Sequence, residues 1–166
     1  MRLRHQRKDE FNDLVRVDFH GQCIKCSSYE FQMIRTQRIG PMLKMDPELN
    51  VFGGPIVSCS FSPLTGFFRD GHCNTCKQDQ GSHTVCAVMN KEFLAFSKYV
   101  GNDLSTPMHA YGFAGLNPGD RWCLCAGRFL QAHEEGCAPN VNLHATHHRT
   151  LEIVPLEVLE KYAVDA

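Results

Sequence analysis

The chain has 166 residues, 43% of them hydrophobic, and a formal net charge of −1 at pH 7. This length and composition predict one globular domain with an ordinary buried core, and they argue against global disorder. A net charge so close to zero produces no field that would recruit nucleic acid or an anionic membrane surface, so we expect neither as a partner.

The cysteine content bears on the cellular compartment. Nine cysteines is an odd number, and the chain contains no Asn-x-Ser/Thr sequon. It also contains no run of roughly 18 apolar residues that could span a membrane, and its start lacks the apolar segment of a secretory signal. We therefore predict a cytoplasmic protein with reduced thiols, in which each cysteine is a core residue, a metal ligand or a reactive group.

Residues 1–45 are a weakly patterned N-terminal extension, consistent with disorder, that carries nine Lys/Arg against five Asp/Glu. The basic start raises the alternative of an organellar transit peptide, but acidic residues follow at Asp9 and Glu10, and such peptides are poor in acids. Gly and Pro become frequent after Asp46, so we place the compact domain at residues 46–166.

Three stretches of this domain repeat one order, an apolar strand followed by a helix. The strands are predicted at residues 84–89, 121–125 and 151–154, and alternating apolar residues at 141, 143 and 145 indicate a further strand. Three strand-then-helix units joined by long loops predict an α+β fold in a single compact domain.

Each predicted helix has its own boundary signal. Asn90 is a typical N-cap for a helix that ends before Gly101, and a second helix over 126–135 ends before Gly136. Pro155 is typical of the first position of a third helix.

The loop at 101–120 is unusually long for a compact domain, and such loops often carry function. Charged residues lie beside apolar runs at the ends of this loop. These charges could bind an anionic ligand or pair with one another. The predicted ligand-binding residues are Asp103, Ser105, Asp120 and Arg121.

Zinc is a candidate cofactor. Cys23/Cys26 and Cys73/Cys76 both have Cys-x-x-Cys spacing, although more than forty residues separate the two pairs, which exceeds the usual zinc-ribbon gap. Cys123 and Cys125 are two apart on a predicted strand and would share a face, as shared ligands or as buried core residues. The predicted metal ligands are Cys86, Cys123, Cys125, His83 and His147.

Cys73 is the predicted nucleophile if a thiol is reactive, because Arg69 lies close in sequence and its charge would favour a thiolate. Asp70 completes the predicted catalytic set. The alternative is a turn cysteine that happens to lie near charges.

Six motifs carry a family resemblance: residues 65–71, 83–87, 92–97, 101–107, 119–126 and 145–147. With them the chain resembles the family called domain of unknown function 2237 over about residues 50–164. The resemblance implies small, mostly bacterial proteins and no established reaction, cofactor or partner. Cys76 departs from the pattern, since glycine is expected there in relatives, and so does the N-terminal extension.

Three functions remain open. The leading hypothesis is a domain that binds a small molecule or a protein partner in a cleft between the 66–83 and 101–120 loops. A thiol- or zinc-dependent enzyme is the second, and a purely structural or interaction protein is the third.

Overall fold

The computed structural model describes residues 48–165. The predicted N-terminal extension and the Cys23/Cys26 pair lie outside the described residues. Within the described part, the predicted α+β domain is confirmed, because a small antiparallel sheet packs against helices.

The sheet has three strands in the order β2-β1-β3. Strand β1 spans Val85–Val88, β2 spans Arg121–Leu124, and β3 spans Asn140–Val141. β1 lies in the centre and is antiparallel to both neighbours, with Cys86 opposite Cys123 and Ala87 opposite Val141. The first two predicted strands are therefore confirmed. The predicted strand through 141, 143 and 145 is wrong apart from Val141, because β3 ends at Val141 and residues 143–146 form a turn.

Two of the predicted helices form close to their predicted bounds. Helix α1 spans Lys91–Tyr99, and the Asn90 side chain caps it by accepting from the Phe93 N–H at 2.7 Å. Helix α2 spans Ala126–Glu134 with Cys125 as its N-cap residue. Both are followed by glycines with positive φ, which L-residues rarely adopt, so the predicted stop signals act as expected.

The third predicted unit is only partly correct. Residues expected as a strand at 151–154 instead belong to a 3-10 helix at His148–Glu152 and the turn after it, while helix α3 follows Pro155 at Leu156–Glu160. The outer edge of β3 is already occupied, because the Val141 N–H donates to Tyr162 O and Val141 O accepts from the Val164 N–H. The C-terminal segment thus takes the place that another strand would need.

The two faces of the sheet are packed differently. One face carries Val85, Ala87 and Leu124 and packs against the helices, with Phe93 and Phe129 almost fully buried among them. The other face carries Cys86 and Cys123, which belong to a separate buried cluster rich in cysteine. Because successive strand residues point to opposite faces, one strand can serve both clusters.

Candidate functional site

Four buried cysteines form two disulfides beneath the sheet. Cys59 is bonded to Cys86 and Cys73 to Cys123, with Cα–Cα distances of 5.6 Å and 5.3 Å. All four residues are between 0% and 3% exposed. Cys86 and Cys123 face each other across the strands, yet each is bonded to a residue of the 59–73 loop, so the bridges attach that loop to the sheet.

Hydrogen bonds hold the same loop in place. The Thr65 hydroxyl, fully buried, accepts from the Cys123 N–H at 2.8 Å, and Gly71 O accepts from the Cys59 N–H at 2.8 Å. Thr65 therefore satisfies a backbone donor on the outer edge of β2, which would otherwise be buried without a partner. The loop covers the sheet edge as well as one face.

The disulfides differ from the predicted reduced thiols. Their partners are 27 and 50 residues apart, and sequence spacing alone does not determine such pairings. Cys73, the predicted nucleophile, is 0% exposed and bonded to Cys123, so in this state it has no thiol to ionise. Arg69 and Asp70 are exposed, and the Arg69 guanidinium lies over the Trp122 ring at 5.1 Å.

The predicted metal ligands are divided among three places. Cys86 and Cys123 lie in the disulfide cluster, whereas Cys125 directly follows β2 and His83 lies two residues before β1. His147 lies elsewhere: its Nε2 is 2.5 Å from Glu48 Oε2, and its Nδ1 accepts from the Arg149 N–H at 3.0 Å. With both ring nitrogens engaged, His147 offers no lone pair to a metal in this arrangement.

The predicted ligand-binding carboxylates are occupied by their own loop. Asp103 accepts from the Ser105 and Thr106 N–H groups and is 2.9 Å from Lys98 Nζ. Burial raises the pKa of Asp103, but the hydrogen bonds with Thr106, Lys98 and Ser105 outweigh burial and hold this pKa far below its usual range.

Asp120 likewise accepts from the Asn117 N–H at 2.7 Å, and the predicted Arg121 is exposed. In the part of the chain that the structure describes, Asp103 and Asp120 therefore serve loop structure. An open depression of about 440 Å³ lies between the predicted 66–83 loop and residues 48–56, not the 101–120 loop, and is lined by Glu48, Pro55, Ile56, Asp70, His72 and Asn74.

A buried carboxylate orients His83. The Asp79 side chain is 0% exposed, and its Oδ1 lies 2.7 Å from His83 Nδ1. Its Oδ2 accepts from the Thr75 hydroxyl at 3.0 Å and from the His83 N–H at 2.9 Å. Burial raises the pKa of Asp79. The hydrogen bonds from His83, its charge and the hydrogen bond from the Thr75 hydroxyl outweigh burial, so the pKa lies below its ordinary value.

The protonation of the pair follows from these contacts. An ionised carboxylate only accepts hydrogen bonds, so the proton between the two side chains belongs to His83 Nδ1. In neutral histidine, Nε2 is then the basic nitrogen. The Phe67 ring stacks on His83 with centroids 6.3 Å apart and an interplanar angle of 27°, which fixes one side of the imidazole.

The segment that carries Cys125 is hydrogen-bonded to the segment that carries His83. The Ala126 N–H donates to Ser82 O at 2.9 Å, so the backbone after Cys125 is bonded to the backbone before His83. Cys125 is half-buried and in no disulfide, and it stands at the N-terminus of α2, whose first turn contains no acidic residue. His83 has 18% of its side chain exposed, so solvent reaches the imidazole but not the Asp79 carboxylate.

Sequence reasoning found His83 and Cys125 but missed two residues. Asp79 lies in a polar loop, and the available signal was an acid four residues before a histidine in that loop. Cys59 had no ligand-like spacing to any other cysteine, so its partnership with Cys86 depends wholly on the fold.

The fold and these cysteines define a small α+β domain with a sheet that is cross-linked to a covering loop. The family described as uncharacterized proteins conserved in bacteria, DUF2237, matches residues 49–163, and the chain belongs to it. A search of curated proteins finds no match.

None of the helices within residues 48–165 combines the length and apolar character needed to cross a membrane. The cytoplasmic location stays a prediction, as does the absence of nucleic-acid partners.

Proposed function

We propose that the protein is a thiol-dependent enzyme in which Cys125 is the nucleophile, His83 the general base and Asp79 the residue that orients the histidine. The observation that carries this proposal is the buried Asp79 carboxylate bound to His83 Nδ1 at 2.7 Å, on a segment whose backbone is hydrogen-bonded to the first residue of the helix that follows Cys125. A nucleophile, a base and an orienting acid are the components of cysteine-dependent acyl transfer.

The proposed reaction is attack on a carbonyl carbon. His83 Nε2 takes the Cys125 thiol proton, and Asp79 stabilises the resulting imidazolium through Nδ1. The sulfur forms a bond to the carbonyl carbon as the carbonyl electron pair moves to oxygen. Collapse of this adduct expels the leaving group, which takes the proton from Nε2, and water then hydrolyses the thioester.

The surroundings of Cys125 support this role. The N-terminus of a helix carries partial positive charge from its unsatisfied N–H groups, so it stabilises an anionic sulfur. The α2 residue Arg128 adds a positive charge in the first turn and is itself mostly buried. The substrate would be a neutral or anionic acyl compound small enough to reach a half-buried sulfur.

Alkylation of the intact protein tests the nucleophile. We expect iodoacetamide to modify Cys125 about tenfold faster than Cys76 or Cys137, the other described cysteines outside disulfides, with the sites resolved by peptide mass spectrometry. His83→Ala should remove this advantage, while Phe68→Ala, an exposed neighbour of the stacking ring, should preserve it.

Catalysis is tested with an activated thioester or aryl ester. Turnover should be lost in Cys125→Ser and retained in Cys137→Ser. Equal alkylation rates at all three cysteines, together with hydrolysis that survives Cys125→Ser, would refute the proposed enzyme.

A second candidate is binding of a small polar ligand in the open depression. Asn74 supports it, because its Oδ1 is buried and accepts no hydrogen bond from any described residue, while its Nδ2 donates to Asp70 Oδ2 at 2.9 Å. A ligand with an N–H donor would satisfy that oxygen. NMR titration with small primary amides should shift resonances around Asn74 in the wild type but not in Asn74→Ala, with the exposed Gln78→Ala as control.

A further inference from the structure

The two disulfides share one compact volume. The Sγ atoms of Cys59, Cys73 and Cys86 all lie within 4.8 Å of one another, although Cys73 is bonded to neither of the other two. Cys123, the bonded partner of Cys73, places a fourth sulfur next to this group. Ala145 and the partly buried Ile56 enclose the group on its apolar side.

We propose that reduction of both disulfides converts this cluster into a tetrahedral zinc site with Cys59, Cys73, Cys86 and Cys123 as its ligands. Zinc–sulfur bonds of about 2.3 Å in a tetrahedron place sulfurs about 3.8 Å apart. The sulfurs of Cys59, Cys73 and Cys86 already lie within 4.8 Å of one another, and the Cys123 sulfur, bonded to Cys73, must rotate with its side chain to complete the tetrahedron. The site is distinct from Cys125, His83 and Asp79 and does not depend on the proposed enzyme.

The elements that carry the four cysteines suit such a change. Cys86 and Cys123 are opposite residues on paired strands, so the sheet fixes two ligands. Cys59 and Cys73 belong to the covering loop, which the Cys59 N–H to Gly71 O bond closes at 2.8 Å. Small rotations of loop side chains can therefore open the sulfur positions while the backbone stays in place.

The chemistry requires a dithiol reductant. Each protein disulfide takes two electrons and two protons from one dithiol, which becomes a disulfide itself, and yields two cysteine thiols. Zinc then binds the four sulfurs as thiolates and releases their protons. Four thiolates leave no open coordination position, which is typical of a structural zinc site that stabilises the fold.

The full-length protein, reduced with dithiothreitol and freed of metal by a chelator, is titrated with Co²⁺ as a spectroscopic probe. We expect one Co²⁺ per chain with the visible absorption of tetrahedral thiolate coordination, displaced by Zn²⁺. Oxidised protein should bind none. Peptide mapping of the wild type should show these four cysteines protected from alkylation by about tenfold or more when zinc is present.

Variants separate this site from the other thiols. Cys59→Ser should abolish the Co²⁺ spectrum, whereas Cys76→Ser should leave it unchanged, since Cys76 lies three residues from Cys73 but in no disulfide. The double variant Cys23→Ser/Cys26→Ser should also bind normally. The proposal is overturned if reduced wild-type protein takes up no Co²⁺, or if zinc protects other cysteines instead of these four. Because alkylation mapping uses the wild type, a folding defect in Cys59→Ser does not obscure the result.

Discussion

His83 and Asp79 form a hydrogen-bonded pair, 2.7 Å from Nδ1 to Oδ1, in which the acid is wholly buried and the histidine remains partly exposed. The arrangement directs Nδ1 of the ring to the buried carboxylate. A loop that looked unremarkable in sequence therefore supplies the orienting residue of the proposed thiol site.

The Asp79 pair makes stability depend on pH. Because the folded-state pKa of Asp79 lies below its unfolded value of about 3.9, its stabilising effect is complete above that value and is lost as the pH falls through the folded pKa. Asp79→Asn should lower the free energy of unfolding by about 1–3 kcal/mol at pH 7, because the new amide N–H would face a donor of Thr75 or His83. Urea unfolding should show that the difference in free energy of unfolding between wild type and variant becomes smaller below about pH 4. A gap that is constant down to pH 3 would contradict this account.

The Thr65 hydroxyl is expected to contribute to stability through its bond to the Cys123 N–H. Thr65→Val keeps the shape of the side chain but leaves a buried backbone donor without a partner, so we expect a loss of about 1–3 kcal/mol in the free energy of unfolding. Thr106→Val, at an exposed position of the 101–120 loop, is the control and should cost less. Equal losses in the two variants would show that the Thr65 bond is unimportant.

Removing the disulfides should destabilise the oxidised protein in order of loop length. The closed loops of 27 and 50 residues predict losses of about 3.6 and about 4.1 kcal/mol for Cys59→Ala/Cys86→Ala and Cys73→Ala/Cys123→Ala. Guanidinium unfolding under non-reducing conditions measures both. Cys76→Ala, which removes a cysteine outside the bridges, should change little. Double variants as stable as Cys76→Ala would argue against bridges in solution.

The N-cap hydrogen bond of α1 alone is expected to contribute about 1 kcal/mol to the free energy of unfolding. Asn90→Ala removes the acceptor for the Phe93 N–H and also the donor to Ala138 O at 3.2 Å, so the loss should reach the upper part of the usual range for caps, about 2 kcal/mol. Asn90→Asp retains the cap acceptor and should recover part of the loss. Thermal unfolding followed by circular dichroism compares the two variants.

Local signals in the sequence predicted the elements that depend on neighbouring residues. Asn90 and Gly101 bound α1 because a cap and a positive-φ stop act within one turn of the chain. The strands at 85–88 and 121–124 were predictable because continuous apolar runs bounded by turns are typical of buried strands. The predicted strand at 151–154 failed because the 162–164 segment occupies the edge of β3, which no local pattern reveals.

The sequence by itself determined the family, the α+β class and most of the helix and strand positions, because these follow from short-range periodicity, caps and contiguous motifs. Only the tertiary structure decided that Cys59 meets Cys86, that Cys73 meets Cys123, and that Asp79 orients His83. The physical reason is that a disulfide or a buried ion pair depends on distances between residues far apart in the chain or separated by turns, and the packing of the covering loop on the sheet sets those distances.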